Sequence, residues 1–175
     1  SARLYASAQG FYNACINGEK VSDDFYNPGF TDYRLRIQYQ TFDVTDMLAD
    51  DKNVISVVLG RGHYSGFCGY SGAMIYGKES SFIAMLNIVY TDGTSEVIKT
   101  DSSWEFTDKA PISDCDYFDG ESYDARLEYN PLADDKRWVK CGIKQQPKKP
   151  VPTSGTLSDT DFKLTAQKGN TAKII

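Results

Sequence analysis

Between residues 35 and 44 the chain reads LRIQYQTFDV, in which Leu35, Ile37, Tyr39, Thr41 and Asp43 alternate with Arg36, Gln38, Gln40, Phe42 and Val44. Successive side chains of a strand point to opposite faces, so this period of two predicts a half-buried strand, one face starting apolar and the other polar. No longer stretch repeats its apolar residues at the helical period of 3.6, which excludes helical bundles. Similar strands are predicted at residues 3–8, 11–17, 54–60, 82–90, 95–100 and 137–143. Asn17-Gly18 and Asp92-Gly93 supply the positive φ that tight hairpins need. A single helical turn is predicted over 45–49, with Thr45 or Asp46 capping Met47 and Leu48. Many short antiparallel strands punctuated in this way specify an all-β chain, an antiparallel two-sheet β-sandwich or jelly roll.

A chain of 175 residues is long enough to bury one real core. Its formal charge of -5, with no basic block beyond Lys148 and Lys149, excludes nucleic acid as a partner, since phosphate binding needs a concentrated basic face. No apolar run approaches the roughly 20 residues that span a bilayer, so no membrane partner is expected. No charged, apolar leader stands at Ser1. The abrupt β-like start is that of a segment cut from a longer gene, which leaves the location of the parent open. Cys15, Cys68, Cys115 and Cys141 lack C-x-x-C spacing and the chain has 1 His, so a zinc site has few ligands. Reduced, partly buried thiols are expected.

Two segments break the strand rhythm. Residues 60–81, GRGHYSGFCGYSGAMIYGKESS, combine many Gly with Tyr64, Phe67, Tyr70 and Tyr76, which predicts a long shaped loop. Residues 145–155, with Pro147, Pro150 and Pro152, read as an extended linker, and 162–175 as an edge strand or the start of a connection toward a further domain. The domain organisation expected is thus a sandwich over 1–145 and a Pro-containing connection over 146–175.

Three places invite a chemical reading. Asp119, Glu121 and Asp124 lie close enough to form an acid/base pair or an oxygen-rich calcium site. The structural reading is preferred: Asp119-Gly120 turns, and the carboxylates pair with Arg126 on the sheet surface or against a neighbouring domain. His63 lacks a nucleophile motif beside it and is expected to have no catalytic duty. The loops at 27–33 and 60–77 suit a sugar better, because Asn27 and Asp32 offer oxygens while Phe30, Tyr33, Tyr64 and Tyr70 offer rings. The plainer role of these residues is a Pro28-Gly29 turn, an Asp32 bonded to backbone amides, and rings that fill the end of the sandwich.

Residues 10–46 carry the order Gly10, Tyr12, Asn17, Gly18, Val21, then Pro28, Gly29, Thr31, Asp32, Tyr33, Arg36, Tyr39, Gln40, Thr41, Asp43, Val44 and Thr45. Further on stand VISVVLGRGHY at 54–64, the D-x-S-W ending at Asp101, Ser103 and Trp104, and YFDGESYDAR at 117–126. This series, over roughly residues 2–145, resembles the N-terminal accessory β-domain of bacterial α-L-rhamnosidases. Phe30, Phe42 and His63 depart from it where Trp, Tyr and Trp are usual, and His63 removes a ring that could stack on a ligand. The resemblance implies a jelly-roll-like, galactose-binding-like sandwich. It also implies a parent glycoside hydrolase whose separate (α/α)6 barrel carries the general acid and the base of an inverting hydrolysis. This chain would then be no enzyme by itself, but a carbohydrate-binding-like module packed on that barrel and holding L-rhamnose-containing plant or microbial glycans. The resemblance implies no cofactor other than calcium, with which some relatives are thought to bind rhamnose. A free-standing lectin or adhesion module is the alternative, and a small all-β enzyme using Asp119 to Asp124 is the remote one.

Overall fold

The computed structural model describes residues 1–128, 130, 137–142, 150–152 and 171–174. Two sheets face one another. The first runs β12 (Pro150–Pro152), β4 (Ile37–Asp43), β1 (Ala2–Gln9), β6 (Ser81–Val89) and β7 (Ser95–Lys99). The second runs β11 (Val139–Lys140), β8 (Glu105–Phe106), β13 (Thr171–Ile174), β5 (Ile55–Gly60), β2 (Phe11–Ile16) and β3 (Glu19–Lys20). A separate hairpin of β9 (Ile112–Asp116) and β10 (Gly120–Tyr123) stands beside β5. Among the described residues every pairing is antiparallel except β12 with β4. The expected two-sheet antiparallel sandwich is therefore the fold.

The core between the sheets is built by alternation. Ala2, Leu4, Ala6 and Ala8 of β1 meet Tyr12, Ala14 and Ile16 of β2, with Val57, Phe82, Leu86 and Trp104 around them. Leu4 sits opposite Phe42 on one side and Leu86 on the other, and each such aliphatic side chain contributes about 1.5–3 kcal/mol on burial. One polar tie crosses the core: the Tyr12 hydroxyl donates to Gln40 Oε1 at 2.6 Å and lies 3.3 Å from the Ala6 carbonyl.

β4 corrects the expected half-buried strand. Tyr39, Gln40, Thr41 and Phe42 are all buried. Phe42, Val44 and Gln40, on the face that reads as polar at its start, point between the sheets, whereas Ile37 and Tyr39 point outward. The outward face is buried because Tyr33 and Tyr64 cover Ile37. Leu35, expected to begin the strand, is outside it and 72% exposed.

The hairpin at Asn17-Gly18 forms with φ of 54 and 88 at the two residues, the pair of left-handed conformations a tight two-residue turn requires. Asn17 also accepts from Val54 N and donates to the Met47 carbonyl. The turn at Thr45–Met47 is 3-10, and neither Thr45 nor Asp46 caps it. Thr45 Oγ1 instead accepts from Ala2 N at 2.9 Å and bonds Asp43, so a long-range tie to β1 outcompetes the local cap. The expected strand at 137–143 shortens to Val139–Lys140, with Trp138 buried before it and residue 143 outside the described residues. Most of 145–155 and 162–175 also lies outside the described residues; the described parts are β12 and β13. Among the described residues no helix is long and apolar enough to cross a membrane.

Burial holds the phenolic protons of Tyr12 and Tyr33 well above their ordinary pKa of 10.0, with nearby Asp24 adding to the effect at Tyr12. The folded chain keeps protons that the unfolded chain releases near pH 10, so this stability is full below that pH and is lost as pH rises past it. Denaturant titrations between neutral pH and pH 11 check this, with a shallower decline expected for Tyr12→Phe. A flat profile in the native chain would contradict it.

Candidate functional site

Three connections converge at one end of the sandwich: residues 21–36 between β3 and β4, 61–80 between β5 and β6, and the β9–β10 turn. Their rings form a continuous chain. Phe25 lies 6.4 Å from Tyr26, Tyr26 5.5 Å from Tyr117, and Tyr117 5.4 Å from Phe118. His63 stands in the middle, stacked 5.3 Å from Tyr117 and tilted against Phe30 at 4.7 Å. Phe25, Tyr26, Phe30, Tyr117 and Phe118 are each more than half exposed. Large contiguous exposed apolar patches are the surfaces by which soluble proteins commonly meet ligands or partners, which makes this end the candidate site.

A charged scaffold holds the patch. Asp116, its side chain fully buried, accepts from the backbone N–H of Phe118 and Asp119 at 2.7 Å and of Phe67 at 3.0 Å. Arg61 adds a fork onto Asp114 at 2.5 and 2.8 Å, with Asp116 and Asp119 each 3.5 Å away. Burial alone would raise the Asp116 carboxyl, but the three backbone donors and Arg61 outweigh it and hold it below the usual carboxylate range. Burial lowers the His63 imidazole, against the pull of Asp116, and its Nδ1 is buried without a hydrogen-bond partner among the described residues.

The structure brings some of the expected sugar-contact residues together and separates others. Tyr33 and Tyr64 are buried, their rings 5.3 Å apart, and pack with Tyr76 over Ile37. Asn27 is also buried, its carbonyl accepting from Tyr12 N at 2.9 Å. Asp32 spends both carboxylate oxygens on Arg34 at 2.9 Å, which lowers its pKa through that hydrogen bond. The Pro28-Gly29 turn forms, with Gly29 N–H donating to the Tyr26 carbonyl. Phe30 is half exposed, and Tyr70 projects fully into solvent on the 3-10 turn Gly69–Ser71. The predicted shaped loop is real and includes the short helix α1 (Gly62–Ser65).

The four residues of the carboxylate segment divide. Asp119 faces Arg61, while Asp124 caps the turn Ala125–Leu127 and is forked by Arg126 at 2.8 and 2.7 Å. Glu121 stands exposed on β10 opposite Cys115. Among the described residues no group of three or more His, Cys, Asp or Glu side chains is placed to hold a metal ion. The cysteines are free thiols, and burial pushes that of Cys141 up to about 11.

Sequence reasoning missed the pocket that lies between the 24–26 segment and the β9–β10 hairpin. It has a volume of about 340 Å³ and is lined by Phe11, Asn13, Asp24, Phe25, Tyr26, Asp116 and Glu121, among others. The adjacent ring pairs Phe25-Tyr26 and Tyr117-Phe118 beside turn residues are the signal that could have found it.

Two packed antiparallel sheets with exposed rings gathered on loops at one end define a β-sandwich domain whose accessible chemistry is concentrated at that end. The chain belongs to the alpha-L-rhamnosidase N-terminal domain family, whose family model matches residues 1–160. It is 42% identical over 142 residues to an alpha-L-rhamnosidase of Streptomyces avermitilis, covering 79% of this chain and 14% of that protein. A second relative, an alpha-L-rhamnosidase of Formosa agariphila, is 37% identical over 161 residues, covering 85% of this chain and 17% of the relative. The crystal structure of the Streptomyces avermitilis enzyme complexed with L-rhamnose superposes with a TM-score of 0.76 at 39% identity, over 86% of this chain and 15% of that one. The chain thus spans about a seventh of the length of the first of these relatives.

Proposed function

We propose that this chain is the non-catalytic, carbohydrate-binding-like module of an α-L-rhamnosidase. It packs on the enzyme's helical catalytic barrel and holds L-rhamnose-containing glycans in the pocket between Phe25, Tyr26 and the β9–β10 hairpin. The observation that carries this is the pocket's composition: two rings at its rim with Asp24, Asn13 and Glu121 beside them. Rings pack on the C–H face of a sugar while carboxylates and amides bond its hydroxyls. Of the pocket's carboxylates, Asp116 favours a structural role over a catalytic one: a glycosidase general acid needs a raised pKa, whereas Asp116 is held low against its burial by three backbone N–H donors and Arg61.

Calorimetric titration with L-rhamnose, with and without calcium, tests the reading. Saturable heat is expected, and Tyr26→Ala should weaken binding about tenfold, the loss of one well-placed ring. Absence of heat under both conditions would remove the glycan role, and turnover of p-nitrophenyl rhamnoside by this chain would remove the non-catalytic one.

A further inference from the structure

The segment from Gly62 to Gly77, GHYSGFCGYSGAMIYG, contains no Asp, Glu, Lys or Arg in a chain that is 25% charged. A solvated loop is ordinarily polar. This one instead turns Phe67, Tyr70, Met74 and Ile75 outward, with exposures of 38%, 113%, 48% and 41%. Single exposed apolar residues are ordinary; four on one uncharged loop have the composition of an interface centre, where charged residues are depleted and aromatic residues and Met enriched.

The tip is also built in advance. Cys68 N–H donates to the Gly72 carbonyl at 3.0 Å, Ser71 N–H to Cys68 at 3.2 Å, and Met74 N–H to Gly66 at 3.0 Å, while Phe67 and Ala73 form a bridge. Its base is tied to the sandwich by Phe67 N–H on Asp116 and by Gly77, where an added Cβ would come within 2.5 Å of the Tyr64 ring. Met74 holds φ of 60, a left-handed conformation unfavourable for its side chain. A surface ordered before contact loses little entropy on docking.

We propose that this tip is the knob by which the domain seats against another domain of the same polypeptide, in an apolar recess of that domain. The proposal rests on the reading that the chain is one domain of a longer α-L-rhamnosidase and names the loop that makes the junction. Two observations select this occupant. The relatives are about six to seven times as long as the matched segment, which covers 14–17% of them, so a covering domain is available in cis. The tip offers mainly apolar surface from Phe67, Met74 and Ile75, and the N–H groups of Cys68, Ser71, Gly72 and Met74 are already bonded within the loop, whereas a sugar requires several free polar partners around a ring.

The test compares hydrogen–deuterium exchange of residues 66–76 in the intact parent polypeptide and in this chain alone, together with a Tyr70→Ser/Ile75→Ser variant. At least tenfold slower exchange of the loop is expected in the parent. The variant should unfold at the same midpoint as this chain alone but lower or split the unfolding transition of the parent. Equal exchange in the two contexts overturns the docking and leaves the parent reading standing; a reading frame that encodes no further domain overturns both. Protection of the loop in the isolated chain, by L-rhamnose or on raising the protein concentration, overturns the proposal by giving the tip a different occupant.

Discussion

Asp116→Ala is expected to destabilise the chain by about 3–5 kcal/mol, a fall in Tm of roughly 10 °C for a domain of this size. The carboxylate is wholly buried and collects three backbone N–H groups from two separate connections, those of Phe67, Phe118 and Asp119. Truncation leaves these donors unsatisfied and unpins the β9–β10 turn from the β5–β6 loop, so near-ultraviolet dichroism from Tyr117 and Phe118 should fall as well. Asp116→Asn keeps an acceptor and should cost less. The acid limb separates the two effects. Because the folded carboxyl sits below the usual range, its contribution is complete above the unfolded pKa near 4 and is lost as pH falls through the lower folded value. The native chain should lose stability in denaturant titrations below about pH 4, and the Asn variant should lose less, the remainder coming from other lowered carboxyls such as Asp32 and Asp124. A loss under about 1 kcal/mol for Asp116→Ala would mean the two connections are held by other contacts.

Trp104→Ala is expected to cost about 3–5 kcal/mol through the cavity it leaves. The indole is 2% exposed and packs 6.1 Å from Phe82 in the centre of the sandwich. Its backbone is used too: N–H donates to the Asp101 carbonyl at 3.1 Å, and its carbonyl accepts from Cys141 N at 2.8 Å. The substitution removes only the ring, so these bonds persist and the effect reads as packing. Urea unfolding should show a lower midpoint at an unchanged slope. Val97→Ala, on a residue 49% exposed on β7, is the control and should stay within about 0.5 kcal/mol. Equal costs at the two positions would contradict the placement of Trp104 in the core.

The expectations read best where the signal is local. Residues 3–8, 11–17, 54–60, 82–90 and 95–100 form β1, β2, β5, β6 and β7 with boundaries shifted by no more than a residue or so, because alternation and an Asn-Gly or Asp-Gly turn need only neighbouring residues. β8, β9 and β10 were illegible for the same reason. Ile112–Asp116, ISDCD, offers no apolar face; it is a strand through its pairing with β10, and Arg61, distant in sequence, holds it by forking Asp114 and donating its backbone N–H to Cys115.

Alternation and turn chemistry alone determined that this chain is an antiparallel sandwich, since both act through the backbone geometry of adjacent residues. Only the tertiary structure decided which rings are available to a partner. Tyr33 and Tyr64 are buried while Phe25, Tyr26 and Tyr117 face solvent, although residue type is similar in both sets. Each ring's exposure depends on which loop crosses over it, and that is settled by contacts between segments far apart in the chain.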